Sequence, residues 1–301
     1  MNYDRTAPRL PPVKETTAGT NRPPMQSSVS NPDRYAVVGH PVDHSWSPFI
    51  HGMFSKQTGQ AITYRLIDLP PERFRSGAIE FFTTGGKGLN VTVPHKQAAA
   101  ELVNHLSQAA ERAHAVNTIC IQGNELVGDN TDGAGLLRDL KENIGFVIEG
   151  KSVLILGAGG ATRGILQPLL AANPSVILVA NRTQARGEAL TRLFKDLGTV
   201  RAVGLDKIPD TAFDLVINAT SAGLTGENFP IPKETVSSAT LCYDMSYGKG
   251  DTPFTAWARS VGAGQAVKGW GMLVEQAAET FLVWRGVRPD TRPVLQALTR
   301  L

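Results

Sequence analysis

The sequence predicts an α/β protein of two domains, an N-terminal α/β domain and a doubly wound, Rossmann-type domain, and three observations predict it. First, 301 residues suffice for two domains that each bury a core. Second, short apolar strands alternate with helical stretches from Tyr35 onward, the pattern of a sheet covered by helices. Third, the apolar run at 151–156 passes straight into Gly157-Ala158-Gly159-Gly160-Ala161, followed by helical spacing at Ile165, Leu166, Leu169 and Leu170. A fully buried strand, a glycine turn and a helix make the first βα unit of a dinucleotide-binding sheet, where backbone amides at the helix N-terminus meet a pyrophosphate.

The composition, 42% hydrophobic and 19% charged, is that of a globular chain. A net charge of +3 without a basic tract argues against a nucleic-acid partner. No apolar run reaches the roughly 18 residues of a membrane span, so no membrane partner and a cytoplasmic location are expected. Cys120 and Cys242 lie in apolar, strand-like surroundings and are expected as reduced core thiols. The histidines show no ligand spacing, so no metal is expected.

Residues 1–33 are rich in Pro, Thr, Ser and Asn, lack an apolar period, and are expected to form a disordered extension. A strand at 35–39 leads to Ser45-Trp46-Ser47-Pro48, before a helical stretch at 49–54. The two serine hydroxyls either cap that helix or hold an anion such as a carboxylate. A strand at 62–67, a helix at 71–82 and a glycine turn at 85–88 follow. Leu89, Val91 and Val93 then alternate with Asn90 and Thr92, a half-buried strand whose polar face looks into a cleft. Pro94 suits a first helical turn, which places Lys96 at a strand-to-helix junction. Helices at 97–102 and 109–113 precede a strand at 116–121, in which Asn117 is either a turn position or a ligand to a polyhydroxylated molecule. Gly128-Asp129-Asn130-Thr131-Asp132 reads as too polar for a core strand and is expected as a turn. Lys96 and Asp132 are the expected catalytic pair. Ala134, Leu136, Leu137, Leu140 and Ile144 have the helical spacing of a bridge to the second domain.

In that domain the match to G-x-G-x-x-G is imperfect, with Thr162 at the third glycine position. The second strand, 176–180, ends where an NAD enzyme presents a carboxylate to the ribose 2′-hydroxyl. Here the chain reads Asn181-Arg182-Thr183-Gln184-Ala185-Arg186. Two arginines four apart at a helix start can face one phosphate, so NADP is the expected cofactor. A strand at 213–218 leads to Ala219-Thr220-Ser221-Ala222-Gly223, a small polar loop at the height of the nicotinamide half. A strand at 241–245 precedes Tyr247, whose hydroxyl can reach the cleft. Gly269, assigned to the cofactor side, opens a long helix whose Met and aromatic residues are core and whose Gln276 is a candidate substrate contact.

Several motifs occur together and in order: Ser45-Trp46-Ser47-Pro48, residues 90–96, Ala115-Val116-Asn117-Thr118, residues 128–132, residues 157–161, Asn181-Arg182-Thr183 and residues 271–276. With them the chain resembles the shikimate dehydrogenase family from Tyr35 to its C-terminus. The resemblance implies a substrate domain (34–132 plus 269–301) and an NADP-binding domain (133–268) flanking a cleft. It implies reversible, NADPH-dependent reduction of 3-dehydroshikimate to shikimate. Ser45 and Ser47, helped by Tyr247, are implied to bind the substrate carboxylate, and Asn90, Thr92, Asn117, Asp132 and Gln276 the ring hydroxyls or reacting centre. Lys96 is implied as acid in the reduction and base in the oxidation, its ammonium held by Asp132; the alternative role is electrostatic stabilisation of the oxyanion. Gly157, Ala158, Gly159, Gly160, Ala161, Asn181, Arg182, Thr183, Arg186 and Gly269 are implied for NADP. Trp46 and His95 depart from the residues expected there and bear on substrate preference. The expected partner is a small molecule, and the chain is expected as a monomer or homodimer. Two alternatives stand beside this reading. A quinate/shikimate dehydrogenase of broader specificity would share the cleft, and its use of NAD is disfavoured by Arg182 and Arg186. A non-catalytic NADP-binding regulator would keep the glycine turn and lose the Lys96 and Asp132 pair.

Overall fold

A computed structural model describes residues 31–220, 231–298 and 300. Most of the expected extension, and Ser221, Ala222 and Gly223 of the nicotinamide-side loop, lie outside them. The chain forms two six-stranded sheets. The first contains β1 (Asp33–Gly39), β2 (Ile62–Asp68), β3 (Gly86–Val91), β4 (His105–Leu106), β5 (Thr118–Gln122) and β6 (Glu125–Asp129), in the order β2-β1-β3-β5-β6-β4. β1 runs parallel to β2 and β3, whereas β5 is antiparallel to β3 and β6. The β5–β6 hairpin turns through Gly123 at φ 62°, a conformation that glycine adopts without steric cost. The helices α1 (Ser47–Thr58), α2 (Phe74–Thr83), α3 (Lys96–Leu102) and α4 (Gln108–Ala113) belong to this half.

The second sheet contains β7 (Ser152–Leu156), β8 (Val176–Asn181), β9 (Val200–Gly204), β10 (Leu215–Asn218), β11 (Leu241–Asp244) and β12 (Gln265–Lys268). Its order is β12-β11-β10-β7-β8-β9 with every pair parallel. Val153, Leu154, Ile155, Val216 and Ile217 are fully buried, as a sheet covered on both faces requires. Strand order reverses between β7 and β10, and such a switch point opens a crevice at the carboxyl ends of the strands.

Two helices hold the halves in register. α5 (Asp132–Arg138), prolonged by a π-helical turn over Asp139–Ile144, runs between α6 (Gly160–Ala171) and α9 (Trp270–Arg285). A Cβ on Gly133 would lie 2.4 Å from Pro168 Cγ and 2.8 Å from the Gly164 carbonyl, and one on Gly135 would lie 2.6 Å from the Gln276 backbone nitrogen. Only glycine permits both approaches. α9 and α10 (Arg292–Leu298) return to the first sheet, where Val274, Ala278, Phe281 and Leu298 share a core with Ile50 and Phe54 of α1. Trp284 Nε1 donates to the Ile119 carbonyl at 3.1 Å, and Arg285 pairs with Asp33.

Three local expectations are corrected. The turn expected at 85–88 is mostly strand, since β3 begins at Gly86. Its glycines make room for rings: a Cβ on Gly86 would lie 2.3 Å from Phe81, and one on Gly88 would lie 2.4 Å from the Trp284 indole nitrogen. Gly128 and Asp129 likewise belong to β6. Gly128 is buried because Val116 packs where its side chain would be, 2.6 Å from a Cβ. Pro94 is not in a helical turn, since α3 starts at Lys96 with His95 as its N-cap.

Behind β3, His51 of α1 is fully buried, stacked on Tyr64 at 4.3 Å and 8° and flanked by Phe54, Phe281 and Trp284. Neither ring nitrogen makes a hydrogen bond among the described residues. Burial lowers its pKa from 6.5 to about 3, so the folded protein holds it neutral while the unfolded chain protonates it. This contribution to stability is therefore complete above pH 6.5 and is lost as pH falls toward 3. In urea titrations at pH 6.5 and 4.5, His51→Phe is expected to lose about 2–3 kcal/mol less stability than the parent; equal losses would show that His51 is not the group responsible.

Candidate active site

The centre of the site is one ion pair. Lys96 opens α3 and Asp132 opens α5, and Lys96 Nζ lies 2.5 Å from Asp132 Oδ2, their side chains 22% and 8% exposed. The other carboxylate oxygen, Oδ1, accepts from Asn117 Nδ2 at 2.8 Å. Asn117 has no freedom to turn its amide over, because its Oδ1 accepts the Thr131 backbone N–H at 2.9 Å. Asn90 is pinned in the same manner: its Nδ2 donates to the Asn117 carbonyl at 3.1 Å, which leaves its Oδ1 to accept the Tyr64 hydroxyl at 2.8 Å. A backbone donor in one case and a backbone acceptor in the other thus fix which end of each amide faces the site. Asn130 ties the loop before α5, accepting the Asp132 N–H at 3.1 Å and donating to the Ala115 carbonyl at 3.0 Å. Asn90, Asn117, Asn130, Thr131 and Asp132 are all buried, where each missing partner would cost about 1–3 kcal/mol.

This polar wall faces a cleft of about 470 Å³. Ser45, Ser47, Asn90, Thr92, Lys96, Asn117, Asp132 and Gln276 line it on one side, and Gly159, Gly160, Ala161, Tyr247 and Gly269 on the other. The residues expected at the substrate from sequence therefore converge on one cavity. Ser45 and Ser47 stand with their hydroxyl oxygens 3.2 Å apart. The N-cap position of α1 is Trp46, which makes no side-chain capping bond, and Ser45 Oγ accepts the Ser47 backbone N–H, the first of that helix, at 3.3 Å, so Ser45 both supports the helix start and borders the cleft. Tyr247 packs on Trp270 at 4.9 Å, and burial raises its phenol pKa, keeping the hydroxyl available as a donor. Gln276 is anchored through Nε2 to the Leu273 carbonyl at 2.7 Å, and its Oε1 points to Asn117 Nδ2 at 3.4 Å.

Across the cleft, β7 runs into Gly157, whose φ of 100° no other residue adopts readily. A Cβ on Gly159 or Gly160 would meet no atom of the described residues within 4 Å. Free space thus stands over the N-terminus of a 12-residue helix, a cradle suited to a pyrophosphate. Thr162 explains the imperfect glycine motif: fully buried, it donates its hydroxyl to the Gly157 carbonyl at 2.8 Å and ties the turn closed. Asn181 joins that turn to the next loop, accepting the Ala158 N–H at 3.2 Å and donating to the Thr183 carbonyl at 2.8 Å. Arg182 and Arg186 are both exposed and carry no ion pair or hydrogen-bonded side chain among the described residues. Their helical spacing is corrected: α7 (Gln184–Arg192) has Thr183 as its N-cap, so Arg182 precedes it. Gly269 lines the cleft for a steric reason, since a Cβ there would lie 2.5 Å from the Met245 carbonyl.

Neither sequence departure borders the cavity. His95 stacks on Phe74 at 4.7 Å and bonds the Leu69 carbonyl through Nε2 at 2.7 Å, while Trp46 packs edge-on against Trp270 and Phe49. Sequence reasoning missed Tyr64, Thr118 and Thr280, which surround Asn90, and His44 at the cleft wall. Thr280 follows Gln276 by one helical turn, a signal that was available; Tyr64 carried none. Both cysteines are free thiols; Cys242 is buried and its pKa is pushed up to about 12. Among the described residues no cluster of His, Cys, Asp or Glu fits a metal ion.

A parallel sheet with a glycine turn at its switch point, facing a lysine–carboxylate pair across a cleft, defines a two-domain dinucleotide-dependent oxidoreductase. Family models described as shikimate dehydrogenase substrate binding domain, shikimate/quinate 5-dehydrogenase and shikimate 5′-dehydrogenase C-terminal domain match residues 37–119, 139–241 and 269–299. The shikimate dehydrogenase (NADP(+)) of Alkalilimnicola ehrlichii is 55% identical over 266 residues, 88% of this chain and 98% of that protein. Among solved structures, an Ael1 enzyme from Pseudomonas putida is 45% identical with a TM-score of 0.83, covering 88% of this chain and 98% of that one. Shikimate 5-dehydrogenase from Thermus thermophilus, solved with NADP(H) and shikimate, is 34% identical with a TM-score of 0.79, covering 89% and 99%. The chain belongs to the shikimate dehydrogenase family.

The free space over α6 gives a direct test. Gly159→Val is expected to weaken NADPH binding about tenfold or more, since its side chain would occupy the cradle, while the thermal midpoint stays within about 3 °C of the parent because no protein atom is displaced. Fluorescence titration and a thermal melt check the two halves; unchanged NADPH affinity would contradict the placement.

Proposed function

We propose that this chain catalyses the reversible reduction of 3-dehydroshikimate to shikimate with NADPH, in the pathway to chorismate and the aromatic amino acids. The observation that carries the reading is the Lys96–Asp132 pair, 2.5 Å apart, set in a polar wall opposite the glycine cradle. The residues that would hold NADP fit it: the turn at 157–161 for the pyrophosphate, and the exposed Arg182 and Arg186 with Thr183 for the 2′-phosphate. When bound, NADPH supplies the hydride to the C3 carbonyl carbon of the substrate.

The chain's own groups do the rest. As charge develops on the C3 oxygen, the Lys96 ammonium gives that oxygen a proton; in oxidation the neutral amine takes it back. Asp132, itself held by Asn117, orients the ammonium and accepts from a neighbouring ring hydroxyl. Asn90 can offer the substrate only an Oδ1 lone pair, since Asn117 O and the threonine hydroxyls occupy its Nδ2. A substrate hydroxyl must therefore donate to it. Thr92 and Gln276 border the same ring space. Ser45, Ser47 and Tyr247 supply three hydroxyl donors to the substrate carboxylate, a small polar group matched by hydrogen bonds rather than by a fixed cation. In this reading residues 34–132 and 269–301 make the substrate domain and residues 133–268 the NADP domain of a cytoplasmic enzyme, monomeric or homodimeric. Among the described residues no helix is long and apolar enough to cross a membrane.

Initial rates with shikimate or quinate, each with NADP+ or NAD+, test the reading in the parent and in Lys96→Ala. Fastest turnover is expected with shikimate and NADP+, falling by about 10²-fold or more in the variant while NADPH still binds. Preference for NAD+ would contradict the argument from Arg182 and Arg186, preference for quinate would favour the quinate/shikimate reading, and no turnover with any pair would favour the regulator.

A further inference from the structure

Thr280 lies outside the cleft lining and is fully buried on α9, one turn beyond Gln276. Its hydroxyl oxygen stands 2.8 Å from Thr118 Oγ1, 3.2 Å from Thr131 Oγ1 and 3.3 Å from Asn90 Nδ2. Those three groups come from β5, the loop between β6 and α5, and β3. One hydroxyl from α9 therefore joins β3, β5 and the loop before α5, the segments that carry Asn90, Asn117 and Asp132.

Counting protons shows what that hydroxyl does. Asn117 Oδ1 accepts the Thr131 N–H at 2.9 Å and the Thr118 hydroxyl at 2.9 Å. Asn117 Nδ2 spends its hydrogens on Thr131 Oγ1 at 2.9 Å and Asp132 Oδ1 at 2.8 Å. Asn90 Nδ2 spends one on the Asn117 carbonyl and directs the second toward the space between Thr118 and Thr280. Thr280 closes the count, because its oxygen accepts there while its proton goes to Thr118 Oγ1 or Thr131 Oγ1, whose own protons are directed to Asn117 Oδ1. Remove it, and the second Asn90 amide hydrogen keeps only Thr118 Oγ1, at 3.3 Å, while a threonine oxygen loses its neighbour in a buried pocket, where such loss is costly and is relieved by reorientation. The groups free to reorient are the Thr118 and Thr131 hydroxyls, which hold the Asn117 amide that aims Asp132.

We infer that Thr280 is a positioning residue for the reduction: it acts through Thr118, Thr131 and Asn117 on the aim of Asp132 and Lys96, without touching substrate or cofactor. The inference rests on the catalytic reading given above. It explains why a helix at the far end of the chain is part of the substrate site through more than Gln276.

The test compares Thr280→Val, which keeps the shape and removes the hydroxyl, with Thr280→Ser, which keeps the hydroxyl and removes a methyl, by steady-state kinetics with shikimate and NADP+ and by thermal melts. Thr280→Val is expected to lower kcat about five- to twentyfold, a loss read as misdirected catalytic groups, with the KM for NADP+ within about twofold of the parent. Thr280→Ser is expected to recover kcat to within about threefold of the parent. If Thr280→Val does not fold, Thr280→Ala is read in its place against Thr280→Ser. A kcat at the parental level without the hydroxyl, or an equal fall in the serine variant, would overturn the inference. Failure of the parent itself to turn over shikimate would overturn the functional reading instead, so the two failures are distinct.

Discussion

The Lys96–Asp132 ion pair sets the terms for the rest of the structure. A carboxylate that is 8% exposed carries a desolvation cost that one partner does not repay unless its remaining lone pairs are also satisfied. Asn117 satisfies them, and is in turn held by the Thr131 backbone. Each partner recruits the next, until the lattice reaches Asn90, Thr118, Tyr64 and Thr280. Main-chain groups at two points of this lattice decide the orientation of both amides, so the site is aimed before any ligand arrives.

That requirement shapes the fold around it. Asp132 reaches Lys96 only because α5 enters the narrow space between α6 and α9, and glycine at 133 and 135 is what allows the approach. The return of α9 to the first sheet delivers Gln276 and Thr280 to the same wall, and the core shared by α1, α9 and α10 keeps that helix in place. The second sheet needs less. Its switch point lies between β7 and β10, the glycine turn follows from the buried strand before it, and Thr162 replaces a third glycine because its hydroxyl closes the turn from within.

Much of this was legible in the residues. The βα unit at 151–170 announced itself by an apolar run and a glycine turn, both local signals. Lys96 was placed at its junction by the alternation of Leu89, Val91 and Val93, although Pro94 proved to lie before the helix. What stayed hidden depended on distant neighbours. Gly86 and Gly88 read as a turn because their strand conformation is dictated by Phe81 and Trp284, which arrive from other helices. Gly128 and Asp129 read as too polar for a strand because pairing with β5, and packing by Val116, outweigh local composition. Tyr64 is an ordinary residue in sequence; its role exists only because its hydroxyl reaches across β1 to Asn90 of β3.

The hydrogen bond from Asn117 to Asp132 ties the two into one unit, and a double-mutant cycle in kcat/KM for shikimate measures that coupling. Asn117→Ala combined with Asp132→Asn is expected to fall within about threefold of the worse single variant, because the second substitution removes a link already broken. Losses that multiply across the cycle would contradict it.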